Sequence, residues 1–245
     1  MYTRDEFEVV RREFAEKMKK DEALQQDSLS VLVRADRYNW IHQTNWFGEP
    51  ILQLPQDMFA LQEIIFKTKP QYIIEIGVAW GGSLLFYSTI MEAIGGIGVI
   101  GIDVFIPDDL RERIMNHGKL SERIKLITGS SIDLETVEKV KSIVGNSKEV
   151  MVILDSSHTR EHVLSELKLY SPLVSKGNYL VVSDTIIEYL PTQEHRPRPW
   201  GKGNNPLTAL NEFMKDNNRF EIDAEIENKL LFTCQPGGYI RCVKD

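Results

Sequence analysis

Apolar positions follow two patterns along the chain, and the change comes near residue 70. Before it, Phe7, Val10, Phe14 and Met18 recur at intervals of three and four among charged residues. That spacing predicts one amphipathic helix over 3–26, lying on a core or on a partner subunit. Residues 28–56 mix aromatics (Tyr38, Trp40, Trp46, Phe47) with turn formers (Asn39, Asn45, Gly48, Pro50, Pro55) and read as an irregular cap. A second helix is predicted over 56–67, with Phe59, Leu61, Ile64 and Ile65 on its apolar side and Pro70 as its stop.

From residue 72 short apolar runs alternate with amphipathic stretches. Strands are predicted at 72–77, 99–105, 125–130, 150–157 and 179–185, with helices over about 83–94, 108–119, 132–144 and 161–173 between them. Strands this apolar, separated by helices, make a parallel sheet covered on both faces. Residues 186–206 break the pattern with four of the chain's ten prolines and read as a long functional loop. A helix over 206–216 follows, and the last 26 residues hold strands joined by a turn at Pro236-Gly237-Gly238. The expected fold is α/β and Rossmann-like: a mostly parallel sheet with a C-terminal antiparallel hairpin, formed by 71–245, behind a helical cap formed by 1–70. Five parallel strands followed by a terminal hairpin is the sheet plan of Class I methyltransferases.

Composition narrows the partners. Lys and Arg number 29 against 36 Asp and Glu, for a net charge of −7. Binding to nucleic acid depends on neutralising phosphates, and an anionic membrane repels such a chain, so neither is expected. The charged N-terminus lacks the apolar core of a signal peptide, and no apolar run reaches bilayer-spanning length. Cys234 and Cys242, expected on two arms of one hairpin, form neither a disulfide framework nor a zinc signature. These signs fit a cytoplasmic protein acting on a small molecule, with the N-terminal helix hinting at a homo-oligomer.

Three places could carry chemistry. The first is the turn after the first predicted strand, Glu75-Ile76-Gly77-Val78-Ala79-Trp80-Gly81-Gly82-Ser83. Ligands of open α/β sheets bind beyond the strands' carboxyl ends, and glycines there admit a close ligand. The spacing is neither that of a dinucleotide fingerprint nor that of a P-loop. It suits S-adenosylmethionine, which has no phosphate to cradle; a tight turn without ligand is the alternative. The second is Asp103, ending the next strand 28 residues after Glu75, where a carboxylate can accept ribose hydroxyls. Gly129, Ser130 and Ser131 end the third strand and could flank an adenine. The third pairs Asp155, in LDSSH, with Asp184, in VVSDT. Adjacent parallel strands would bring these carboxylates together as a hard-cation site suited to Mg²⁺. His158, three residues beyond Asp155, is a candidate general base, whereas His162 is expected to be structural.

These residues resemble the cephalosporin hydroxylase family, whose characterised relatives include metal-dependent sugar O-methyltransferases of antibiotic pathways. The resemblance covers 44–245 and rests on IIEIGVAWGGS, VILDSSH, YLVVSDT, RPWGKGNNPLTALNEF and the C-terminal FEIDAEIENKLLFTCQPGGYIRCVK. It implies methyl transfer from S-adenosylmethionine, with Glu75, Gly77, Gly81, Gly82, Ser83, Asp103, Gly129, Ser130, Ser131 and Asp155 around the cofactor. It also implies Asp155 and Asp184 as metal ligands and His158 as base. Relatives usually carry Glu-Asp where this chain has Ser183-Asp184, so Ser183 takes a ligand position with a weaker donor. Arg196, Arg198 and Trp200 are expected to close over an anionic or sugar-bearing acceptor, with Gly201, Gly203 and Asn204 as a permissive hinge. Two other readings stay open: an NAD-dependent oxidoreductase or epimerase on the same sheet, and a non-catalytic partner protein that binds S-adenosylmethionine.

Overall fold

The computed structural model describes residues 2–194 and 196–244. Helix α1 (Arg4–Lys20) opens on a capping box in which the Thr3 side chain and Glu6 satisfy each other's backbone amides. The single helix expected over 3–26 is instead two. Asp21 leaves helical geometry, and its carboxylate caps α2 (Glu22–Asp36) by accepting from Leu24 N at 3.0 Å. Helix α1 buries no residue, and Phe7 and Phe14 are 50% and 64% exposed. The segment expected to be an irregular cap is largely regular as well. Helix α2 runs on to Asp36, and β1 (Thr44–Trp46) and β2 (Glu49–Ile51) form a hairpin. Its turn residues, Phe47 and Gly48, both take positive φ, the geometry that matches strand twist.

Helix α3 (Pro55–Thr68) buries Met58, Leu61, Ile64 and Ile65 against the sheet. Phe59, expected on that apolar side, is 70% exposed. Lys69 ends the helix in the left-handed conformation, one residue before the proline expected to stop it. The alternation then follows as β3 (Tyr72–Ile76), α4 (Gly82–Ile94), β4 (Gly98–Asp103), α5 (Asp108–Met115), β5 (Ile124–Thr128), α6 (Leu134–Val144), β6 (Val150–Leu154), α7 (Arg160–Tyr170) and β7 (Tyr179–Val182). Several strands are shorter than their apolar runs, because the last residues of those runs turn out of the ladder to form the site. Helix α8 (Pro206–Asp216), β8 (Phe220–Ile222), α9 (Ala224–Asn228) and β9 (Tyr239–Cys242) complete the chain.

The seven-stranded sheet has the order β5-β4-β3-β6-β7-β9-β8, with β9 antiparallel to both β7 and β8. The antiparallel C-terminal pair is present, but a long connection carrying α9 replaces the tight turn expected between its strands. Gly238 instead accepts from Val182 N at 2.9 Å, and a Cβ there would meet Val182 O at 2.2 Å. Cys234 therefore lies in the connection, not on a hairpin arm, while Cys242 lies on β9; both are buried.

Side chains leave each strand alternately, so two cores form. Ile73, Ile153 and Val181 pack under α3 and α4, whereas Ile74, Ile76, Val152 and Val182 pack under α6, α7 and α8. Connections from β3 run outward through β4 to β5, and those from β6 run the other way. The direction reverses between β3 and β6, and a ligand crevice opens beyond their carboxyl ends. No helix among the described residues is long and apolar enough to cross a membrane.

Candidate active site

A cavity of about 580 Å³ lies at this reversal. Gly77, Val78, Ala79, Trp80 and Ser83 form one wall, and Asp155, His158 and Asp184 another. The 191–202 segment and residues of α2 complete it. That volume falls in the range of sites that enclose small organic ligands.

The glycine turn is shaped first by packing. A Cβ on Gly77, whose φ is +102°, would sit 1.9 Å from Asp155 O. One on Gly82 would sit 2.3 Å from Pro50 O. Gly77 thus lets the ends of β3 and β6 close up, and Gly82 admits the β1–β2 hairpin. Gly81 packs on Ile114 in the same way. Of the residues expected around the cofactor, Gly77 and Ser83 line this cavity together with Asp155; Gly81 and Gly82 lie behind the turn. Glu75 is buried beneath it and accepts from Ser83 Oγ at 2.7 Å. Burial pushes its carboxyl well above the usual range, partly offset by the Ser83 hydrogen bond.

Asp103 stands off the cavity and braces the turn. Its Oδ2 accepts from Val78 N at 2.9 Å and Ala79 N at 3.3 Å, and Oδ1 accepts from Phe105 N at 3.1 Å. Ala79 takes a φ of +46°, so those amides hold a strained conformation in place. Ser131, expected beside an adenine, gives its hydroxyl to Glu166 Oε1 at 2.6 Å. Ser156 donates to the same oxygen at 2.6 Å, and His162 Nε2 lies 3.0 Å from it. Glu166, fully buried on α7, thereby ties the loop after β5 to the loop after β6. It raises the pKa of His162 through that hydrogen bond, against the effect of burial. His162 is structural, as its place one turn into α7 suggested. Gly129 and Ser130 are half-buried and do not line the cavity.

The structure brings Asp155, His158 and Asp184 together, with one ligand atom from each within 4.8 Å of the others. His158 Nε2 lies 3.2 Å from Asp184 Oδ2, and the imidazole meets Trp200 edge-on at 4.8 Å. Asp184 ends β7 in the left-handed conformation, φ 57°, which turns its carboxylate off the ladder. Asp155 is pushed well above the usual carboxylate range by burial and then by the Asp184 charge. Two carboxylates crowded on one cavity wall need a compensating positive charge, and their oxygens are the donors a hard divalent cation takes. The residues therefore fit Mg²⁺. Ser183 lies next along the ladder from Asp155 but behind the cavity wall, with Oγ buried and unpartnered among the described residues.

Hydrogen bonds hold the 201–204 stretch, expected to act as a permissive hinge. Gly201 and Asn204 exchange backbone hydrogen bonds of 3.0 Å, Glu188 accepts from Gly203 N, and Asn204 Oδ1 accepts from Arg160 N. Arg196 donates to Asp36 at 2.9 Å and anchors the segment to α2, whereas Arg198 lies over the Trp200 ring at 5.3 Å. Arg198 and Trp200 line the cavity, and Arg196 acts as an anchor. Sequence reasoning missed Gln53, Asp36 and His42, all on the cavity wall. They come from the segment read as irregular, where no motif marks them. Burial, followed by the Arg196 charge, holds His42 below the usual imidazole range.

Comparison with known proteins shows which family the chain resembles. The family Rhamnosyl O-methyltransferase/CmcI matches residues 38–243. The Rhamnosyl O-methyltransferase of Mycobacterium tuberculosis is 30% identical over 200 residues, covering 81% of this chain and 78% of its own. That of Mycobacterium leprae is 30% identical over 200 residues, covering 80% and 82%. Among solved structures, apo CmcI-N160 superposes with a TM-score of 0.58 at 22% identity, covering 83% of this chain and 78% of that one. CmcI-D160 with Mg and SAM gives 0.56 at 20% identity, with the same coverage of 83% and 78%. At these identities the structures speak for the fold. The nicotinamide and non-catalytic readings fall away, because the chain belongs to the Rhamnosyl O-methyltransferase/CmcI family and is an S-adenosylmethionine-dependent O-methyltransferase of sugar or natural-product type.

Proposed function

We propose that the protein methylates a hydroxyl of a sugar or glycoside, with a divalent cation such as Mg²⁺ held by Asp155 and Asp184 and with His158 as the base. The observation that carries this reading is the meeting of those three side chains on the cavity wall facing the Gly77–Trp80 turn. Curated relatives named for a rhamnosyl acceptor support the sugar, and CmcI-D160 with Mg and SAM supports the metal.

Bound S-adenosylmethionine supplies an electrophilic methyl group, and a bound cation polarises and orients the acceptor hydroxyl. The chain's own residues do the rest. Ser83 and the backbone of Gly77–Trp80 form the cofactor side of the cavity, with Asp103 fixing that backbone from behind. His158 Nε2 lies 3.2 Å from Asp184 Oδ2, and the imidazole takes the hydroxyl proton. The same carboxylate stabilises the imidazolium that forms. Trp200 fixes the imidazole plane and, with Arg198, walls the acceptor side. Gly129 and Ser130, outside this cavity beyond β5, would lie toward the adenine end of the cofactor.

Calorimetric titration tests the cofactor half. S-adenosylmethionine should bind the wild type, NAD should not, and Asp103→Ala should weaken binding about tenfold or more. Asp103→Asn, which keeps one amide-accepting oxygen, should fall between the two. Unchanged affinity in a folded Asp103→Ala protein would overturn the role given to that carboxylate.

A further inference from the structure

Gln53, between the β1–β2 hairpin and α3, is 5% exposed and lines the cavity beside Asp155. Its Nε2 lies 3.4 Å from Asp155 Oδ2 and 3.5 Å from the Tyr87 hydroxyl. Its Oε1 is buried with no hydrogen-bond partner among the described residues. An orphaned buried acceptor is costly, so one kept at a cavity wall points to a ligand. A second orphan, Ser183 Oγ, adjoins the same carboxylate. The β6–β7 register pairs Ile153 with Val181 and Leu154 with Val182, so one step further sets Ser183 beside Asp155 on the same face. Ser183 does not line the cavity, whereas Gln53 does.

We propose that Gln53 is a cation ligand. The amide donates through Nε2 to Asp155 Oδ2 at 3.4 Å, so its orphaned Oε1 is the atom left to meet a cation beside that carboxylate. Amide oxygens are hard, neutral donors, so Gln53 adds coordination without adding charge next to Asp155 and Asp184. The inference rests on the reading that those two aspartates hold the cation.

The test is Mn²⁺ binding, followed by paramagnetic resonance, alongside S-adenosylmethionine affinity and thermal midpoint. Gln53→Leu should weaken Mn²⁺ about tenfold or more with cofactor affinity unchanged, and Gln53→Glu should tighten it by a similar factor. In a Ser183→Glu background, where a carboxylate reaches the wall, Gln53→Leu should cost less than about threefold. Wild-type Mn²⁺ affinity in folded Gln53→Leu would overturn the assignment, and so would unaltered affinity in Gln53→Glu if the leucine variant does not fold. Loss of Mn²⁺ in Asp184→Asn but not in either Gln53 variant would sink the Gln53 ligand and spare the metal site. Absence of Mn²⁺ binding by the wild type would sink both.

Discussion

At the scale of single residues, the site is a problem of charge. Asp155 and Asp184 lie on one cavity wall, and burial, then the Asp184 charge, resists ionising Asp155. His158 sits within hydrogen-bond distance of Asp184, so the base is oriented by a residue proposed to hold the cation. His158→Ala should lower kcat by about 10²–10⁴-fold, the usual worth of a positioned base, with S-adenosylmethionine affinity nearly intact. The pH–rate profile should lose an ionisation in the histidine range. Thermal midpoint and kcat measured on one preparation separate this from a structural role. A stable variant with near wild-type turnover would assign the proton to another group. Trp200 packs on that imidazole, so Trp200→Leu should lower kcat by a smaller factor.

At the scale of elements, two loops and a hairpin hold the crevice open. The β1–β2 hairpin rests on the start of α4, where a Cβ on Gly82 would meet Pro50 O at 2.3 Å. Gly82→Ala should therefore cost about 1–3 kcal/mol of stability, seen as a drop of a few degrees in Tm. If Tm is unchanged, the hairpin yields without cost. Across the sheet, Glu166 joins the loops after β5 and β6 and raises the pKa of His162. A histidine with a raised folded pKa binds its proton more tightly in the folded state. Its stabilisation is fully present below its unfolded pKa, about 6.5, and is lost as pH rises through the higher folded value. Tm measured from pH 6 to pH 9 should fall more in the wild type than in His162→Gln, and parallel curves would contradict the assignment. The parallel elements were legible because each strand is a short apolar run closed by a turn signal. The break at Asp21 and the β1–β2 hairpin were not. A cap made by one side chain, and a turn built on Phe47-Gly48, leave no mark on hydrophobic periodicity.

At the scale of the whole molecule, the order β5-β4-β3-β6-β7-β9-β8 puts the reversal of direction between β3 and β6, and the site follows from it. Asp155 and Asp184 end neighbouring parallel strands, so their meeting could be read from sequence. Gln53, Asp36 and His42 reach the same cavity from outside the alternating region, and only the packed chain brings them there. The glycine motif is half ligand site and half packing, since Gly81 and Gly82 answer to Ile114 and Pro50. We propose metal-assisted methyl transfer from S-adenosylmethionine to a sugar hydroxyl. Its most direct test is transfer of a labelled methyl group to a rhamnoside acceptor by chelator-treated protein, with Mg²⁺ then added back. Label on a sugar oxygen, loss of transfer on chelation and recovery with Mg²⁺ are the expected results. Transfer undiminished in protein freed of all metal, or cofactor binding without label on any sugar hydroxyl, would contradict it.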